Sequence, residues 1–169
     1  MRADSAAAVQ TDYRWCRALA RRHYENFPVA SWFLPRRLRD PVAAIYAFAR
    51  TADDIADDGS LSRPERLERL AAMERALLAP QGAGPPLYPA LADAIVRHRL
   101  PLAPLHDLLS ACRQDLEQNR YANFGELMDY CRRSANPVGR LLLQLTGSAS
   151  ARNIALSDAV CSALQLINF

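Results

Sequence analysis

A chain of 169 residues, half of them hydrophobic and with a net charge of only +3, is long enough to bury one proper core. The same balance excludes a disordered tail, and the arginine-only basic side forms no run interleaved with aromatics, which excludes a nucleic-acid platform. No stretch approaches the ~20 apolar residues that span a bilayer, and MRADSAAAVQ is too polar for a secretory signal. Cys16, Cys112, Cys131 and Cys161 form no CxxC pair and lie in apolar-periodic stretches, so buried thiols in a reducing compartment are expected. The expectation is a cytoplasmic protein that at most touches the inner membrane surface.

Helical signals dominate and strand signals are nearly absent, so the chain is expected to be all-α, with one domain over residues 1–169. Thr11 is placed to cap a helix through Trp15 and Leu19 towards Tyr24. Asp40 and Pro41 mark the next start, as N-cap and first helical residue. Ser62-Arg-Pro-Glu65 is a capping box ahead of Leu67, Leu70, Met73, Leu77 and Leu78. Pro80 to Pro86 is the clearest loop, and Tyr88–Arg99 and Pro104–Asn119 read as two further helices. Asn123-Phe-Gly-Glu126 is a second capping box, opening a helix that Asn136-Pro137-Val138-Gly139 should kink or break, since proline supplies no N–H. Ser157 is the expected cap of the last helix, through Val160, Leu164, Leu166, Ile167 and Phe169. Its bare apolar end reads as a truncated chain.

The most informative stretch runs from Asp40 to Asp58, an apolar helix ending in Asp53, Asp54, Asp57 and Asp58. At about 100° per residue, Tyr46, Arg50, Asp53 and Asp57 fall within an arc of roughly 60°. Val42, Ile45, Ala49, Ala52 and Ala56 form the adjoining flank, which puts this stripe at the core border. Asp54 and Asp58 turn towards solvent. Carboxylates at i and i+4 repel each other and oppose the dipole at a helix C-terminus; a bound cation removes both objections. Hard oxygen donors suit Mg²⁺, which keeps several waters and bridges to substrate phosphates. The competing reading is a solvated acidic helix end before Gly59, which leaves the in-register Tyr46 and Arg50 unexplained.

Tyr46-Ala-Phe-Ala-Arg50-Thr-Ala-Asp53-Asp54-Ile-Ala-Asp57 resembles the first aspartate-rich motif of the squalene/phytoene synthases. Tyr130-Cys-Arg-Arg-Ser-Ala-Asn-Pro-Val-Gly139 resembles their mid-chain Tyr-Cys…Val-Gly element, and Leu164-Gln-Leu-Ile-Asn168 the stretch before their second aspartate-rich motif. Order and spacing match from His23 onward. Glu25 to Pro35, with Arg133 to Gly139, looks most like the branch that makes hydroxysqualene in bacterial hopanoid biosynthesis. The resemblance implies an isoprenoid (terpenoid) synthase fold, with helices around a cavity and two aspartate-rich motifs facing across its mouth. It also implies Mg²⁺-assisted ionisation of presqualene diphosphate and capture of the rearranged cation by water. Sister enzymes join two prenyl diphosphates, such as farnesyl diphosphate, head to head to give squalene or phytoene.

Carried over residue by residue, the resemblance makes Asp53 and Asp57, with Asp54 beside them, the Mg²⁺ ligands. Arg50 would contact the diphosphate, where a planar guanidinium matches paired oxygens. Tyr46 and Tyr130 would face the reacting centre. Gln165 and Asn168 would place amides near the diphosphate, and Val138 belongs to the same substrate-binding set. Asn26 and Phe27 match a segment over the cavity where the family more often has Ser-Phe.

The family's second motif is expected within a few residues after Asn168, so residues 1–169 alone are expected to turn over little substrate. A non-catalytic binding or assembly module is the alternative, with a lipid-binding helical domain as its variant on the apolar Phe27 to Leu34. Taken singly, Gln165 and Asn168 fit hydrogen bonding within a helix pair, and Tyr130 fits a core aromatic. Asp115 fits a cavity wall or a surface, and Arg132 and Arg133 fit a phosphate or solvent. His23, His98 and His106 have no ligand spacing.

Overall fold

The structure, a computed structural model, describes residues 2–22, 34–78, 84–118 and 120–168, with side chains from residue 7 onward. Among the described residues there are eight α-helices and no strand. They are α1 (Arg2–Arg22), α2 (Arg36–Asp57), α3 (Arg63–Leu78), α4 (Leu87–His98), α5 (Ala103–Asp115), α6 (Phe124–Ser134), α7 (Asn136–Thr146) and α8 (Ala151–Ile167). Two compact units emerge: Met1–Thr51 with Ala76–Leu100, and Ala52–Arg75 with Pro101–Phe169. No helix among the described residues is long and apolar enough to cross a membrane.

In the first unit, α1 packs against α4. Tyr13, Cys16 and Ala20 form its buried face, meeting a helix that buries Leu87, Ala90, Leu91 and Ala94. The Tyr13 hydroxyl donates to Asp93 Oδ2 at 2.8 Å, and burial together with that carboxylate pushes its pKa upward. Cys16 is fully buried and its thiol is pushed up to about 12, chiefly by burial. Arg17 pairs with Asp40 at the start of α2. The first turns of α2 bury Leu38, Val42, Ile45 and Phe48.

Three helix starts differ from expectation. Thr11 does not cap α1; it lies inside a helix that begins at Arg2, and its hydroxyl donates back to the Ala7 carbonyl at 3.2 Å. The alanine run before it has the highest helix propensity and carries the helix upstream. Likewise Asp40 and Pro41 do not open α2, which starts at Arg36 with Pro41 inside it. Pro35 supplies the first carbonyl, to Leu38 N at 2.9 Å. The bond that Pro41 cannot make is offset by burying Leu38 one turn earlier and by committing Asp40 to Arg17. Finally, Ser150 rather than Ser157 caps α8, accepting from Asn153 N at 3.2 Å. Gly147, at φ +70°, ends α7 so tightly that the Ser150 cap follows three residues later and α8 begins at Ala151.

The second unit is built on α5 to α8. The Asn123 cap is as expected: Glu126 N donates to Asn123 Oδ1 at 3.0 Å, and the Glu126 carboxylate reaches back to Ala122 N. At α3, Ser62 N donates to Glu65 at 2.8 Å, the reciprocal half of its box. The break falls at Ala135, which ends α6 as Asn136 begins α7. Helices α7 and α8 cross at Gly139, where a Cβ would meet Cys161 Sγ at 2.7 Å. The inward face of α8 is polar: Asp158 accepts a two-point fork from Arg140 at 2.9 and 2.6 Å, and Ser162 donates to buried Asn136 at 3.0 Å. Its outward face carries Leu156, Val160, Leu164 and Ile167, each more than half exposed.

Candidate active site

Three of the four stripe residues on α2 lie at the core border where the periodicity placed them, and Asp57 does not. Tyr46, Arg50 and Asp53 are half-buried between fully buried neighbours, among them Ala47, Phe48 and Ala52, while Asp54 and Asp57 are exposed. Asp58 leaves the helix and accepts from Ser60 N at 3.0 Å and from its hydroxyl, which lowers the Asp58 pKa. Tyr46 and Arg50 stand on the part of α2 that belongs to the first unit; Asp53, Asp54 and Asp57 stand on the part in the second.

Within the second unit the two stripe carboxylates meet a third. Asp115, the last residue of α5, is exposed as a residue, yet neighbouring atoms shield one side of its carboxyl and its pKa is raised. Loss of surrounding water is the main cause, and the negative charges of Asp53 and Asp57 add to it. Tyr130 and Arg133 work the other way: the Tyr130 hydroxyl donates to Asp115 Oδ2 at 3.1 Å. Cys112, one turn earlier on α5, senses the same cluster; its thiol is pushed up to about 12 by burial, then by Asp115, Asp53 and Asp57. Three carboxylates from two helices therefore share one patch, and the thiol beside them is held protonated.

Tyr130 is buried, and its own pKa is raised by burial and by Asp115, so it remains a neutral phenol at any physiological pH. Its ring lies 5.4 Å from that of Tyr121, tilted by 44°. Arg133 holds this corner together, donating to Ser110 Oγ at 3.1 Å, to Gln114 Oε1 and to Asp129 Oδ2 at 2.9 Å. Those bonds tie α6 to the last turns of α5. In sequence Asp115 fits a cavity wall or a surface and Arg133 a phosphate or solvent, while Tyr121 is unmarked; the one signal for Asp115 is the resemblance, since the family often has an acid there.

The other expected residues are less connected. Val138 is half-buried at the start of α7, its N–H on the Ala135 carbonyl at 3.2 Å. Gln165 is half-buried on α8, and exposed Asn168 caps that helix with its N–H on Gln165 O at 3.1 Å. No described hydrogen bond joins these three to the carboxylate patch. Asn26 and Phe27 lie outside the described residues.

Among the described residues no three His, Cys, Asp or Glu side chains close into a cage for a metal. The donors suit the other way Mg²⁺ is held, by one or two carboxylates with phosphate oxygens and water completing the shell. The mutual repulsion registered at Asp115 is the observation that a cation there would relieve.

The family model for squalene/phytoene synthase matches residues 20–169. The hydroxysqualene synthase of Zymomonas mobilis is 43% identical over 147 residues, covering 85% of this chain and 48% of its own. The phytoene synthase of Mycobacterium tuberculosis is 31% identical over 160 residues, covering 95% of this chain and 53% of its own. The crystal structure of squalene synthase HpnC from Alicyclobacillus acidocaldarius superposes with a TM-score of 0.87 at 40% identity, over 95% of this chain and 60% of that one. The chain thus spans about half the length of the curated relatives it matches. Its all-helical fold is that of these synthases, and the chain belongs to the squalene/phytoene synthase family.

Proposed function

We propose that these residues form one side of a Mg²⁺-dependent site that ionises presqualene diphosphate on the way to hydroxysqualene, in hopanoid biosynthesis. The observation that carries the reading is the shared patch of Asp53, Asp57 and Asp115 with the buried Tyr130 hydroxyl on it. The 43% identity to a hydroxysqualene synthase supports this product over others.

In this reading Asp53 and Asp57, with Asp54 at the rim, hold the metal, and Arg50 holds diphosphate oxygens. Mg²⁺, when bound, neutralises charge on the departing diphosphate. Asp115 fixes the Tyr130 hydroxyl, and that phenol keeps its proton because its pKa is raised. The Tyr121 and Tyr130 rings offer π faces to a carbocation without offering it a base.

The test joins residues 1–169 to the remaining portion of the Zymomonas mobilis enzyme and supplies presqualene, farnesyl or geranylgeranyl diphosphate with Mg²⁺. Conversion of presqualene diphosphate to hydroxysqualene is expected, and its loss in Asp53→Asn and Asp57→Asn. A folded chimera that consumes none of the three substrates overturns the reading. The phytoene synthase relative supports head-to-head coupling as a second reading, which a coupled hydrocarbon product would establish.

A further inference from the structure

The two units carry opposite charge. Met1–Thr51 with Ala76–Leu100 has eleven arginines against five acidic residues, while Ala52–Arg75 with Pro101–Phe169 has ten against thirteen. In the first unit the excess is concentrated at the C-terminal half of α1 and the start of α2. On α1, Arg14, Arg17 and Arg21 recur at i, i+3 and i+7, one face of the helix. Arg17 pairs with Asp40. Arg36 lies four residues before Asp40, on the same side of α2 as the carboxylate that Arg17 holds.

Nearby acids do not cancel this charge. Asp40 is committed to Arg17, and Asp93 to Tyr13 and Arg97. Arg14, Arg21, Arg22, Arg36 and Arg37 are all exposed, and among the described residues none of them pairs with a carboxylate. Trp15 is 39% exposed on the outward arc of α1, about 20° round the helix from Arg22 and about 100° from Arg14. A partly exposed tryptophan with arginines along that arc suits the depth at which indole and phosphate meet in a bilayer. Single-stranded nucleic acid would want successive stacking rings, and this is the one exposed aromatic among the described residues of the unit.

We infer that the face formed by the end of α1 and the start of α2 docks on an anionic lipid bilayer, with the arginines on headgroup phosphates and Trp15 at the interface. The docking is independent of turnover, so it stands or falls apart from the proposed reaction.

Cosedimentation of the whole chain with vesicles provides the test, comparing phosphatidylcholine alone with a mixture about one-third phosphatidylglycerol. Binding is expected only to the mixture, and it should fade as added salt shortens the screening length from about 10 Å at 0.1 M to about 3 Å at 1 M. The triple variant Arg14→Gln, Arg21→Gln, Arg36→Gln should lose partitioning by the order of a hundredfold. A charge-matched variant in the second unit, Arg69→Gln, Arg120→Gln, Arg152→Gln, should lose far less. In a Trp32→Phe background, Trp15 emission should shift to the blue on adding anionic vesicles. Circular dichroism checks that each variant keeps its helicity. Equal binding to neutral vesicles, an unaffected triple variant or an equal loss in the matched control overturns the inference. So does release by inorganic diphosphate too dilute to act through ionic strength, or tighter binding to a single-stranded oligonucleotide at the same salt.

Discussion

Replacing Gly139 by alanine sets two effects of similar size against each other, and the α7–α8 crossing decides the sign. In a helix interior the alanine gains about 0.5–1 kcal/mol over glycine. Against this, the new Cβ would lie well inside van der Waals contact with Ser157 Oγ and 2.7 Å from Cys161 Sγ, with only Ser157 Cβ, at 3.6 Å, at an ordinary distance. Both offending atoms sit on a Cβ of a helical residue, where few χ1 values are open, so turning them away costs about 0.5–1.5 kcal/mol each. Overpacking of a fitted core costs about 1–3 kcal/mol in general. The net expectation is a loss of about 1 kcal/mol, or roughly 2–4 °C in Tm for a chain of this size. Thermal and urea unfolding followed by circular dichroism would measure it. The decisive comparison is the Ser157→Ala, Cys161→Ala background, which deletes both atoms. There Gly139→Ala should turn stabilising. The same cost in both backgrounds, or no cost in the native one, would show that the crossing is looser than the geometry states.

Other consequences concern the carboxylates. Burial and the charges of Asp53 and Asp57 hold the Asp115 pKa above its ordinary 3.8, so its ionisation removes stability as pH climbs from that value through the folded pKa. Asp115→Asn should therefore melt higher than the parent at pH 7, with the gap closing in acid below the ordinary value; a lower Tm at pH 7 would contradict this. Tyr130→Phe keeps the ring pair with Tyr121 but removes the 3.1 Å bond. It should cost about 1 kcal/mol, the charged-bond value discounted for an open carboxylate, and raise the Asp115 pKa further in a carbon-detected NMR titration. Glu74 behaves oppositely. Its bonds from Arg113 at 2.6 Å and His106 at 3.0 Å hold its pKa below 4.5, so its contribution is complete above that value and lost as pH falls through the folded pKa. Acid unfolding of Glu74→Gln should be shallower in that window, and an unchanged acid limb would show the cluster to be idle.

Much of the site was legible because helical spacing is a local property. Tyr46, Arg50 and Asp53 needed only the 100° repeat to be placed on one border stripe. The Asn123 cap and the break before Pro137 likewise depend on neighbours within four residues. Asp115 was not assignable because its environment comes from α2 and α6, far away in sequence, and the same holds for Arg133, which bonds back to Ser110 and Gln114. Helix starts went wrong where two local signals competed: an alanine run outvoted the Thr11 cap, and an ion pair recruited Asp40 away from capping. In the last helix the apolar residues Leu156, Val160, Leu164 and Ile167 point outward, the inverse of the periodicity that normally marks a buried face.

That inversion gives α8 an unusual mode of opening. An apolar contact lets one helix slide over another at little cost, whereas the Arg140–Asp158 fork and the Ser162–Asn136 bond hold only in one register. Releasing α8 breaks these directional bonds while its face of Leu156, Val160, Leu164 and Ile167, already exposed, adds nothing to the surface uncovered, and denaturant sensitivity scales with that surface. In native-state hydrogen exchange the α8 amides should accordingly open as a group, at a free energy that urea hardly changes. The helix is keyed in place rather than greased.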